Sequence, residues 1–214
     1  VLIAQVPLAD DLYLAAHDTV RGRCVLTPAT LGLGLSSAVL AELILLRRLD
    51  LRDERLVVLD DRPPPDLATT AVLGQLVREQ RRGVRDWIAY LSTGVAADLI
   101  SRRLTRAGLV QRIATRGLFG TRLRYVPADT VVTGRPGSRI RVAAERRELL
   151  GVPDLVLAGL VFATGLDQHV LVALDPRGRD HLFDQLRRRL PEPLHLLVGH
   201  AEAAVGDAVM ARRA

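Results

Sequence analysis

The chain is 214 residues long, 49% hydrophobic, with 24 acids and 30 basic residues, every one an arginine, for a formal charge of +6. That is enough apolar chain for one substantial core, and nothing asks for a second domain, so a single domain over 1–214 is expected. Its longest apolar runs, residues 35–46 and 155–166, fall short of the roughly 20 residues a bilayer-spanning helix needs, which argues against an integral membrane protein. Residues 1–8 lack the basic and long apolar regions of a signal peptide. The lone Cys24 fits a reducing cytosol and reads as a small buried hydrophobe without a catalytic role.

Charge is unevenly spread. Between Arg78 and Arg147 there are sixteen arginines against five acids, and the rest of the chain is mildly acidic. A one-sided field of this kind attracts a polyanion, either a lipid surface or a nucleic acid.

In chain order, residues 7–18 predict a first helix with Leu8, Leu12 and Ala15 or Ala16 on one face, and His17 reads as a surface residue or a helix-end cation. Residues 35–46 are apolar on nearly every face with Glu42 as their only charge, which marks a buried central helix. It is expected to begin after Gly32 and Gly34 with Ser36 or Ser37 as cap. Glu42, as a buried acid, is expected to pair with an arginine or to cap a backbone group. Residues 49–51 and 56–59, around a polar turn, predict a β-hairpin, and the proline run 63–65 a stiff connector.

Asp66 is expected to cap a helix reaching about Arg82, with Arg78, Arg81 and Arg82 on one face and Arg85 continuing the stripe. Trp87, on a short helix, reads as a core anchor. Residues 95–107 predict an amphipathic helix, Ala96, Leu99, Ile100 and Leu104 inward and Arg102, Arg103 and Arg106 outward, ended by Gly108. A second hairpin follows over 109–126; in its second arm Arg122 and Arg124 share one face and Leu123 and Tyr125 the other. Residues 134–138 read as a loop, followed by helices over 138–150, 155–166, 180–190 and 194–213. The expected fold class is mainly α, a single compact helical domain around a buried central helix, with two small β-hairpins.

No catalytic constellation emerges. Gly32-Leu33-Gly34 lacks a third glycine, there is no phosphate-binding loop or nucleophile elbow, and the five histidines are scattered without metal-ligand spacing. The expectation is a protein that is not an enzyme, with no cofactor and no metal. The helix-then-hairpin unit occurs twice, about 60 residues apart, and either copy resembles a winged helix. The first copy offers no polar side chains to base edges, so the alternative of a nucleic-acid-binding module rests on the second.

The ordered set of segments LADDLYLAAHD, RGR, GLSSAVLAELILLRRLDL, DWIAYLSTG, LTRAGLV and RYVP resembles the Golgi phosphoprotein 3 family, in its bacterial branch, over nearly the whole chain. The resemblance implies a helical, non-catalytic peripheral membrane protein. Eukaryotic members of that family bind phosphatidylinositol 4-phosphate on Golgi membranes, insert the hairpin at the bilayer and hold cytoplasmic tails of resident membrane enzymes. The family's headgroup-binding Trp and Arg positions fall on Thr27, Ser36, Gly94 and Ala97, none of which keeps the family residue. The acidic-lipid contacts expected in their place are Arg102, Arg103, Arg116, Arg122 and Arg124, with Arg78, Arg82 and Arg85 secondary, and Leu123 and Tyr125 as membrane-inserting residues. The expected setting is cytoplasmic and peripheral at an anionic membrane surface. Expected partners are cytoplasmic segments of membrane proteins and a second copy of the chain through the hairpin; nucleic acid is not favoured.

Overall fold

Thr27, not Ser36 or Ser37, starts the helix on which the molecule is built. Its Oγ1 accepts the N–H of Thr30 at 3.2 Å, and Pro28, which has no N–H to lose, takes the first turn. In the computed structural model, which describes residues 7–79, 81–117 and 120–212 and only the backbone over 115–124, this helix runs Pro28–Leu45. Numbered in chain order it is α2, after α1 (Leu8–Ala15). Ser36 and Ser37 lie inside it and give their hydroxyls to the carbonyls of Gly32 and Leu33, at 2.7 and 3.0 Å. By length and composition α2 could cross a membrane, but 72% of it is buried within the protein.

Gly32 and Gly34 mark close approach rather than a helix start. A Cβ on Gly32 would stand 2.5 Å from the Ser92 carbonyl oxygen, and one on Gly34 2.9 Å from Thr164 Cγ2. Gly32→Ala should therefore destabilise by about 1–3 kcal/mol although alanine is the better helix former. Gly74→Ala, in a helix with nothing within 4 Å of the new methyl, should stabilise by about 0.5–1 kcal/mol. Urea denaturation of the two variants checks both signs.

The first hairpin, β1 (Leu49–Arg52) and β2 (Arg55–Val58), follows α2 directly, with Leu49 paired to Val58. Then come α3 (Leu67–Arg78), capped by Asp66, α4 (Val84–Ser92) and α5 (Val95–Arg106). The second hairpin, β3 (Val110–Gly117) and β4 (Gly120–Pro127), pairs Val110 with Pro127 and Arg112 with Tyr125. The chain closes with α6 (Thr130–Glu145), α7 (Val152–Ala163), α8 (Asp167–Val170), α9 (Pro176–Arg189) and α10 (Glu192–Met210). α2 packs against α1, α3, α4, α5, α7 and α10, and Trp87 is fully enclosed in the same hydrophobic cluster. The fold is mainly α, one compact domain around a buried central helix with two small antiparallel hairpins.

Three further expectations are corrected. Residues 134–138 are not a loop: α6 runs through Pro136, opened by Asp129, whose carboxylate accepts the Val131 N–H at 2.8 Å. Small residues here let α6 lie close to its neighbours, since a Cβ on Gly137 would stand 2.9 Å from Val170, and packing outweighs propensity. The helix from Asp66 stops at Arg78 because the next segment is drawn onto the first hairpin, where the Val84 N–H bonds the Glu54 carbonyl at 2.9 Å. His17 is not a surface cation: it is buried, stacked 4.5 Å from the Tyr13 ring, with Nδ1 2.7 Å from the Tyr13 carbonyl oxygen, and burial lowers its pKa.

Candidate functional site

The arginine-rich segment divides, once folded, into cations that hold the core and cations that face solvent. On α5 the residues turned inward are Ala96, Ile100 and Leu104, and Arg103 lies seven residues after Ala96, on the same face. Its guanidinium is accordingly directed into the protein, with the side chain 12% exposed. It donates to both Glu42 carboxylate oxygens at 3.0 Å and to Asp10 Oδ1 at 2.8 Å, and lies 3.3 Å from Asp66 Oδ1. Glu42 also accepts the Ala9 N–H at 2.8 Å, so it does both things a buried acid on an apolar helix must do. The outward placement expected of Arg103 is thus corrected: one cation ties α1, α2 and the cap of α3 to α5.

Three carboxylates share this cation. Burial pushes Asp10 up to about 7 and raises Glu42 as well, against the lowering influence of Arg103. Asp66, more exposed, is held below its usual range by hydrogen bonds from Thr69 and Ala68 and by Arg103, which outweigh its own desolvation. Arg139 makes a second strut, bonding Asp11 Oδ2 at 2.6 Å and Asp154 Oδ1 at 2.7 Å and joining α1, α6 and the start of α7.

The remaining expected contacts face outward or lie beyond the described side chains. Arg102 is exposed and pairs along its own helix with Asp98 at 2.9 Å. Arg106 is exposed with no ion pair to a described residue, and with Arg102, Arg103, Asp66 and Leu99 it lines a depression of about 380 Å³. The side chains of Arg116, Arg122, Leu123 and Arg124 lie outside what the structure describes; the backbone register sets Leu123 opposite Ala114 and Arg124 opposite Ile113. Tyr125 is half-buried, packs against the core and receives the Tyr13 hydroxyl on its carbonyl at 3.3 Å, which makes it the root of the hairpin.

The expected stripe of Arg78, Arg81, Arg82 and Arg85 is not one helix face. Arg78 ends α3, Arg85 lies on α4, and Arg82 sits between them with its guanidinium carbon 5.4 Å from the Trp87 ring centroid and 5.0 Å from that of Tyr90. Arg82 also bonds Glu79 at 2.7 Å, and Arg85 is 4.0 Å from Glu54. Among the described residues no group of His, Cys, Asp and Glu could hold a metal ion.

What remains is a two-stranded hairpin that, among the described residues, pairs with no other strand, on a helical body whose α5 carries the exposed Arg102 and Arg106 just before β3. The family model for Golgi phosphoprotein 3 (GPP34) matches residues 8–211. The chain belongs to the Golgi phosphoprotein 3 family. Comparison with curated proteins finds no match. Golgi phosphoprotein 3 proteins are membrane-associated, non-catalytic adaptors. Of the positions expected to hold the family's headgroup, Ser36 is fully buried, Thr27 is engaged as a helix cap, and Gly94 and Ala97 bring no polar side chain.

Sequence reasoning missed the inward turn of Arg103 and the struts to Asp10 and Asp11. The signal was present: Arg103 lies four after Leu99 and seven after Ala96, and a lone acid on an all-apolar helix requires a cation from another element.

Proposed function

We propose that this Golgi phosphoprotein 3 protein is a peripheral adaptor that binds anionic phospholipid, of phosphoinositide type, on the cytoplasmic side of a membrane. The observation that carries the reading is the β3–β4 hairpin, whose described outer positions Arg112 and Ile113 are both exposed, while among its described side chains Val110 and Tyr125, at the root, pack on the body. The register sets Arg112 opposite Tyr125 and Ile113 opposite Arg124, so cationic and apolar positions are interspersed, and such a ribbon suits a lipid interface, where headgroups meet the charges and the acyl boundary the apolar residues. Arg102, Arg116, Arg122 and Arg124 are proposed as headgroup contacts, with Arg78 and Arg85 further out, and Leu123 as the inserting residue. Arg103, Tyr125 and Arg82 drop out of that set, since the first closes a buried ion network, the second anchors the hairpin and the third is held against Trp87, Tyr90 and Glu79. The free edges of the hairpin would also suit pairing with a second copy. The adaptor's clients would be cytoplasmic segments of membrane proteins.

Sedimentation with vesicles of graded anionic content tests this. Each cation near an anionic leaflet contributes about 1 kcal/mol, so Arg116, Arg122 and Arg124 together replaced by Gln should weaken binding about 100-fold. Leu123→Ser should weaken it further without changing its dependence on anionic lipid. If the triple variant sediments like the parent, the hairpin is not the lipid contact; if the parent instead leaves the vesicles for competing duplex DNA, the nucleic-acid reading replaces this one.

A further inference from the structure

The turn between α1 and α2 puts a bare apolar residue at the root of the hairpin. Val20 is 82% exposed, at the tip of a turn closed by Asp18, whose carboxylate accepts the N–H groups of Val20 at 2.9 Å, Arg21, and Arg23 at 3.0 Å. The turn is closed a second time where the Asp18 N–H bonds the Arg23 carbonyl at 2.9 Å. Its place is set by two close approaches. A Cβ on Gly22 would lie 3.6 Å from Pro127, the last residue of β4, and one on Gly134 of α6 would lie 3.2 Å from Thr19. The first turn of α6 adds Val131, 67% exposed, with Arg135 four residues on along the same side.

Single exposed apolar residues are ordinary. Here two of the most exposed aliphatic side chains stand on adjoining segments, ringed by Arg21, Arg23 and Arg135, which are exposed and form no ion pair to a described residue. The two nearby acids, Asp18 and Asp129, are each occupied by backbone N–H groups. Apolar tips among exposed cations are complementary to an anionic bilayer, whose headgroups meet the guanidiniums and whose acyl boundary takes the valines.

We propose that the Asp18–Arg23 turn, with Val131 beside it, is a second membrane-contact element that enters the same anionic lipid surface as the hairpin. The proposal rests on the lipid-binding reading above and deepens it. Eight-residue strands reach roughly 25 Å, so a turn at the root and a tip at the far end can touch one surface only if the hairpin lies along the membrane. Two contacts that far apart fix the orientation of the body on the bilayer.

The test uses the full chain with Cys24→Ser as background and an environment-sensitive fluorophore on a single cysteine, from Val20→Cys or, as control, from Leu149→Cys. Leu149 is 68% exposed and lies beyond the far end of α6, a helix of about 24 Å. Vesicles of phosphatidylcholine with graded phosphatidylserine should shift the emission at position 20 to the blue and leave position 149 unchanged. In unlabelled protein Val20→Ser with Val131→Ser should weaken sedimentation about tenfold. If the protein sediments and a label at Leu123→Cys shifts while position 20 stays in water, the second contact is overturned and the hairpin reading stands. If the parent does not sediment at all, the lipid reading fails and this proposal with it.

Discussion

Arg103→Ala should destabilise the fold by about 3–5 kcal/mol, measured by urea denaturation at neutral pH. Removing the guanidinium leaves Glu42, 7% exposed, and Asp10, 3% exposed, without the cation that offsets their desolvation. Because the two acids respond by taking up protons, the loss should be smaller in mild acid than in mild base. The attribution can be checked against packing loss. Neutralising the partners together, as Arg103→Met with Glu42→Gln and Asp10→Asn, should recover most of the stability, since a buried network replaced as a unit is often neutral, whereas one with a member missing is not. The amide introduced by Glu42→Gln would still offer an oxygen to the Ala9 N–H, which the Glu42 carboxylate now satisfies. If the triple variant is as unstable as Arg103→Ala, the lost energy lies in the arginine's packing and not in its charge.

Raising the pH through neutrality should lower stability, and Asp10→Asn should remove much of that dependence. Asp10 titrates in the folded protein at about 7 against an ordinary 3.8, with burial the main cause. A carboxyl whose folded pKa is raised contributes stability that is fully present below the unfolded value and lost as pH rises through the folded one. The range at stake is on the order of a few kcal/mol over the whole interval from the ordinary value to about 7, of which about 1 kcal/mol is left to lose above pH 6.5. Around Asp10 stand Arg103 from α5, Glu42 from α2 and Asp66 at the start of α3. Asp11 is raised by burial and has the same sign. His17, lowered from 6.5, has the opposite sign and acts as pH falls below that value. Thermal unfolding between about pH 6.5 and 8.5 therefore isolates the carboxyls. The parent should lose melting temperature across that window and Asp10→Asn should lose much less. A parent curve that rises with pH would place the Asp10 proton elsewhere.

Much of the fold is written in local pattern. The start of α3 at Asp66, the end of α5 at Gly108, both hairpins, the buried central helix and Trp87 as a core anchor all follow from hydrophobic spacing and a few capping residues. The departures occur where a local signal served a distant partner. Gly32, Gly34 and Gly137 look like breaks in sequence but allow helices to touch. Pro136 looks like a stop, yet packing of α6 against the turn at Thr19 and against α8 carries the helix through it.

The candidate site shows the same division. Sequence alone determined that the chain is helical, that residues 78–147 hold an excess of arginine, and that Glu42 needs a polar partner, because composition, periodicity and the cost of burying a charge are properties of the residues themselves. Only the tertiary structure decided which arginines remain free to face a surface. Arg103 is drawn inward by an acid 61 positions away, Arg139 is tied to one 128 positions away, and Gly22, in the turn that carries Val20, lies against Pro127 at the hairpin root, more than 100 residues on. Such pairings depend on how helices cross in space, and no window of local sequence contains both partners.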